Sequence, residues 1–338
     1  MPLKVRALLS LFLLASSLIT ASTNVLERFA PNLSTNTPIF WQIPSNSLPA
    51  SLWIYRRLPP QPFSIATISN AFVIASMRAR ALDPRAARTT NDFWLHTPFN
   101  CCGMAQNFFG ILPAKCQIFF WATNQNLSSD DLPDDDTLKK QAFRYASLLG
   151  LPIAQLVPQN IFYSSNVFGT DVKSTNAPCG KGIVLSRKLD GVIFFNNVDA
   201  DDSVGFTLEL GNSGEVRAFY LAWPNLERSQ HCQVASPQEI TRCLQARRIF
   251  VLPDPNEENY FARIRLLSTA RKFIITKIVP RYHDMGSLAE PPTNNLPSAF
   301  LVPFAEADAM ATCGTNNVAL HFISPILLSE VTKLLRQE

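Results

Sequence analysis

Gly205-Phe206-Thr207-Leu208-Glu209-Leu210-Gly211-Asn212-Ser213-Gly214-Glu215-Val216-Arg217-Ala218-Phe219-Tyr220-Leu221-Ala222-Trp223 is the stretch on which the reading of this chain turns. Residues 205–210 alternate with a period of two, the pattern of a strand with one buried face. Gly211-Asn212-Ser213-Gly214 supplies a turn, and Val216 to Trp223 returns as a second strand. Ser236-Pro237 comes next, with Glu239 three residues after Ser236. Ser caps, Pro suits the first helical position, and Glu at that offset closes a capping box, so a helix is predicted to about Arg247. Paired antiparallel strands followed by a helix define an α+β unit.

The same grammar extends in both directions. Ile183-Val184-Leu185 and Val192-Ile193-Phe194-Phe195 flank a turn at Lys188-Leu189-Asp190-Gly191. Downstream, Phe273 to Val279 reads as a strand continuing towards Tyr282, followed by strands at Ala299–Phe304 and Val318–Phe322. Ser324-Pro325 then opens a closing helix through Leu327, Leu328, Val331 and Leu335. Two strand groups, each ended by Ser-Pro, suggest a duplicated module of roughly 80–90 residues in the C-terminal half.

Upstream, Leu52-Trp53-Ile54-Tyr55 reads as a strand, and Ser64 as the N-cap of a helix to about Leu82 with Ile65, Ile68, Phe72 and Met77 on one face. Phe93-Trp94-Leu95 is a further strand, and Phe108–Leu112 and Cys116–Trp121 form a hairpin around Pro113-Ala114. The acidic run 128–136 lacks the spacing of a calcium loop. Its carboxylates suit the start of a helix, where they cap it and complement its dipole. That helix carries Leu138, Ala142, Tyr145, Leu148 and Leu149 and stops at Gly150-Leu151-Pro152. The expected organisation is a signal peptide (1–22), an extended lead-in (23–49), an N-terminal α+β module (50–157), a connection (158–181) and a C-terminal α+β module (182–338). Each module is an antiparallel sheet packed by one or two helices.

The signal peptide rests on order as well as composition. Lys4 and Arg6 precede an uncharged apolar stretch from Leu8 to Ile19, and small residues follow at Thr20-Ala21-Ser22. That stretch is shorter than the roughly 20 residues of a membrane-spanning helix. Cleavage near Ala21 or Ser22 would place the mature chain outside the cytoplasm; an uncleaved anchor is the alternative. The 338 residues are 47% hydrophobic, enough for a sizeable core, and the net charge of +4 shows no clustered basic face of a nucleic-acid binder.

No compact catalytic or cofactor motif is present. His96, His231, His283 and His321 form no metal-ligand spacing, and only 12 glycines occur, with no phosphate-cradling loop among them. No catalytic, cofactor-binding or metal-ligating residue is therefore assigned. Of seven cysteines, Cys101, Cys102, Cys116, Cys232 and Cys243 cluster in sequence and are candidate disulfide partners. Burial as reduced apolar residues explains them equally well. Trp223, ending a strand beside Pro224, is the candidate exposed binding residue. Trp41, Trp53, Trp94, Trp121 and Trp223 could line a ligand groove, but with 24 phenylalanines in the chain a packed β core is the default for most of them.

The stretches Leu185–Val192, Leu208–Val216 and Trp223-Pro224-Asn225-Leu226-Glu227, with the Ser236-Pro237-Gln238-Glu239 helix start, resemble PepSY-like extracytoplasmic modules. Such modules occur in protease propeptides, and related folds occur in accessory proteins of bacterial cell-wall sensor kinases. The strand from Ile274 to Tyr282 and Phe300-Leu301-Val302-Pro303-Phe304 are similar to the end of such proteins. The resemblance supplies no catalytic residues. It implies an exported, non-enzymatic protein that binds or restrains another extracytoplasmic protein, such as a protease, wall enzyme or sensor ectodomain. It implies no cofactor and no nucleic acid, and membrane contact only through an uncleaved N-terminal segment. A secreted hydrolase with a dispersed site and a structural envelope protein are the competing readings.

Overall fold

The computed structural model describes residues 33–34, 36–44, 47–76, 84–85, 88, 91–96, 107–122, 131–164, 180–194, 204–245, 250–251, 265–283 and 300–326. The leader, Cys101, Cys102 and the closing helix expected after Pro325 lie outside these residues. Among the described residues are fifteen strands and three α-helices, so the chain is mainly β. The expectation of a balanced α+β fold is corrected accordingly.

Strand length explains the difference. The sequence reading ended a strand at Phe304, but the strand runs from Phe300 to Cys313. Ala305, Ala307, Ala309 and Ala311 are buried along it, alternating with the partly exposed Glu306, Asp308, Met310 and Thr312. Alanine favours helix intrinsically, yet a period of two between a buried and a wetted face outweighs that preference. Ser324-Pro325 ends the strand Asn316–Pro325, and the helix expected to follow it lies outside the described residues.

The chain forms two compact units, one of residues 1–56 with 227–338 and one of residues 57–226. The first unit contains β1 (Ile39–Trp41), β2 (Ser51–Arg57), β11 (Leu226–Gln233), β12 (Phe250–Val251), β13 (Ala270–His283), β14 (Phe300–Cys313) and β15 (Asn316–Pro325). β13, β14 and β15 form an antiparallel meander, while β1 pairs parallel to β13, so this sheet is mixed. Helix α3 (Pro237–Gln245) packs against β15. Its predicted capping box is present, with the Ser236 backbone N–H donating to Glu239 Oε2 at 2.8 Å. Tyr282, fully buried, donates its hydroxyl to the Trp53 carbonyl at 2.8 Å.

In the second unit seven strands run antiparallel in the order β6–β7–β9–β10–β5–β4–β3. They are β3 (Phe93–His96), β4 (Asn107–Leu112), β5 (Gln117–Ala122), β6 (Leu156–Ser164), β7 (Gly180–Leu189), β9 (Gly205–Leu210) and β10 (Val216–Ala222), with the short β8 (Val192–Phe194) folding back on β7. Helices α1 (Ile65–Ile74) and α2 (Asp135–Leu148) supply Ile68, Phe72, Leu138 and Ala142 to a core that also contains Phe109, Ile118, Phe206, Leu208 and Phe219. Ser64 caps α1 as predicted, accepting from Thr67 N–H at 3.0 Å. Asp134 caps α2, accepting from Thr137 N–H at 2.7 Å, so the acidic run does start a helix. Gly150 ends it with φ +82°, a left-handed conformation that suits glycine. Residues 158–164, read from sequence as the start of a connection, belong to β6. Pro158 is accommodated because β6 pairs with β7 alone among the described residues and that pairing is irregular between Pro158 and Ile161.

Candidate functional site

The pleat of β4 and β5 sorts side chains onto two faces. Phe109, Ile111, Ile118 and Phe120 enter the core, so Phe108, Phe119 and Trp121 stand on the opposite face. Trp94 of β3 joins them. Its ring lies 5.3 Å from Phe108 and 5.4 Å from Phe119, and Phe108 stacks on Phe119 at 5.5 Å. Trp94 and Trp121 are each 46% exposed. A contiguous aromatic face of this kind is the usual mark of an interaction site, whereas isolated exposed apolar residues are not.

The face borders a sheet edge. Among the described residues β3 pairs with β4 alone. The opposite edge, β6, carries Pro158 and a break in register, both devices that discourage a further strand. Phe93-Trp94-Leu95-His96 carries neither device. Four residues are too few to template an extended sheet, but they suffice to anchor a short partner strand beside an aromatic surface.

Trp223, the residue singled out from sequence as exposed, is half-buried instead. Its ring packs against the core and holds the Arg187 guanidinium 4.3 Å from its centroid. Arg187 is itself buried and donates to the Pro224 carbonyl at 2.7 Å and to Gln155 Oε1 at 3.1 Å. Sequence could not place this buried cation beneath the indole, because β7 meets the end of β10 only through the intervening β9.

Of the candidate disulfide cysteines, Cys116 and Cys232 are buried free thiols, as is Cys313. Burial pushes all three thiols up from their ordinary value, which makes them poor nucleophiles. The side chain of Cys243 is outside the described set. Among the histidines, His231 packs its ring 4.7 Å from Trp53. His321 stands between two carboxylates, with Nε2 3.1 Å from Glu306 Oε1 and Nδ1 2.6 Å from Asp308 Oδ1. Carboxylates only accept hydrogen bonds, so satisfying both requires a proton on each ring nitrogen. An imidazolium held in this way has no lone pair to act as a general base.

A second polar cluster ties helix α2 to the sheet. Buried Lys181 donates to Asp135 Oδ1 at 2.7 Å and to the Pro133 carbonyl at 2.9 Å. The Asp135 bond raises its pKa against the opposing pull of burial. Nearby, Ser164 Oγ donates to Glu209 Oε1 at 2.5 Å, and Arg217 Nε lies 3.5 Å from the same oxygen. Among the described residues no group of three His, Cys, Asp or Glu side chains is arranged to hold a metal ion. No helix among them is long and apolar enough to cross a membrane.

The chain matches no protein-family model and no curated protein. Among solved structures it is similar to an uncharacterized protein from Eubacterium rectale, with 8% identity, a TM-score of 0.40 and 85% of each chain covered. It is also similar to YycH from Bacillus subtilis, with 10% identity and a TM-score of 0.34 over 80% of this chain; the match spans about half of YycH (52%).

Proposed function

We propose that this chain is an exported, non-catalytic binding protein that receives a partner protein on the β3 edge and the adjoining aromatic face. The observation that carries the reading is the pair of half-exposed indoles, Trp94 and Trp121, on an aromatic surface beside β3, which pairs with β4 alone among the described residues. Extended polypeptide suits such a site: its backbone completes the hydrogen bonds of β3, and alternate side chains rest on the rings. Export rests on the leader at residues 1–22 and sets the class of partner, an extracytoplasmic protease, wall enzyme or sensor ectodomain. The high-lying thiols and the doubly engaged His321 favour binding over hydrolysis.

The test is direct binding of a purified envelope partner to the wild-type chain and to Trp94→Lys. Interface anchors of this kind contribute 2 kcal/mol or more, so affinity should fall by about 30-fold. Unchanged affinity would remove the edge from the reading.

A further inference from the structure

The outer face of β13–β14–β15 carries a row of alternating charge. Arg281 on β13 donates to Glu306 on β14 at 2.5 Å. Glu306 accepts from His321 on β15, and His321 reaches Asp308 on β14. Lys277 on β13 lies 3.7 Å from Asp308 Oδ2. The order cation–anion–cation–anion–cation thus crosses three strands. His321 and Asp308 are direct register partners, and Asp308 is also the partner of Lys277.

Besides the imidazole itself, the row holds four charged groups among the described residues, Glu306, Asp308, Arg281 and Lys277. The described residues of β12, Phe250 and Val251, add none. Helix α3, which also packs against β15, brings Glu239, held by its cap at Ser236, and Arg242.

We propose that this row is a proton-operated clasp: protonated His321 bridges Glu306 and Asp308 and fastens β15 to β14, and loss of its proton loosens that pairing. The geometry requires it. Neutral imidazole keeps one N–H, so the other nitrogen turns a lone pair towards a carboxylate at hydrogen-bond distance. The Glu306 hydrogen bond raises the His321 pKa, against burial and with help from Asp308. A raised folded pKa means the stabilisation is complete below the unfolded value, near 6.5, and is lost as pH rises through the folded one.

The experiment follows the imidazole by nuclear magnetic resonance and the β15 amides by hydrogen exchange, corrected for intrinsic rates, between about pH 6 and pH 9. Wild type should titrate above about 6.5 with both ring nitrogens protonated below the midpoint. Protection of β15 should fall about tenfold for each unit by which that midpoint exceeds 6.5. β6 and β7 of the second unit should show no such change, and His321→Gln should abolish the pH dependence in β15. If that variant does not fold, Asp308→Asn should lower the midpoint instead. A His321 midpoint at or below 6.5, or β15 protection indifferent to pH in wild type, overturns the clasp.

Discussion

Phe119 lies over Gly110 on the neighbouring strand, and the two are direct register partners. A Cβ at Gly110 would collide with the Phe119 ring. Glycine here makes room for an aromatic ring, and the ring in turn supports Trp94 and Phe108. Gly110→Ala should therefore displace Phe119, destabilise the unit by about 1–3 kcal/mol and disorder the aromatic face. Denaturant unfolding measures the first effect, and near-ultraviolet circular dichroism of the tryptophans reports the second.

Trp94 and Phe109 sit on adjacent strands but on opposite faces. Phe109 is fully buried, so Phe109→Ala should cost about 3–5 kcal/mol. Trp94→Ala should cost much less, about 1 kcal/mol, because its indole is 46% exposed and loses only its packing on Phe108 and Phe119. Thermal unfolding of the two variants separates a residue kept for the fold from one available for binding.

Lys181 joins β7 to the first turn of α2. Lys181→Met removes the bonds to Asp135 and Pro133, at a cost of about 1–3 kcal/mol. The cost stays below that of breaking a fully buried pair, because Asp135 is 57% exposed and its carboxylate remains hydrated. Denaturant midpoints for Lys181→Met and Asp135→Asn, the latter smaller, check this.

Glu306 sets the acid limit of the three-strand row. Burial pushes its carboxyl up, but hydrogen bonds from His321 and Arg281 outweigh burial and hold it at about 2, below its ordinary 4.5. A depressed folded pKa gives stabilisation that is present above pH 4.5 and lost as pH falls towards 2. The contribution is on the order of 3 kcal/mol. Wild type should lose it over that window, and Glu306→Gln should flatten that limb in a pH series of thermal unfolding curves.

Local signals were legible in the sequence where the chemistry is local. Ser64, Asp134 and the Ser236–Glu239 box each mark a helix start that the structure contains. The Pro113-Ala114 hairpin and the Asp190-Gly191 turn stand where turn residues placed them. The balance of the fold was not legible. Alternating alanines in β14 look helical by propensity, and polar β6 looks like a loop until its partner β7 is known. The aromatic face was hidden because sequence cannot tell which side of a strand is covered: Phe108 and Phe109 are identical letters on opposite faces. Trp223 misled for the same reason, since its cover comes from Arg187, a residue 36 positions away by number.

Photo-crosslinking from position 94 tests the binding reading most directly. A benzophenone amino acid replacing Trp94 in the intact chain, expressed in its own host, should trap one discrete envelope protein. Adding Trp121→Lys should suppress that product, and the same probe at Val73, exposed on α1, should not yield it. A partner trapped equally well from position 73, or one indifferent to Trp121→Lys, would contradict binding at this edge.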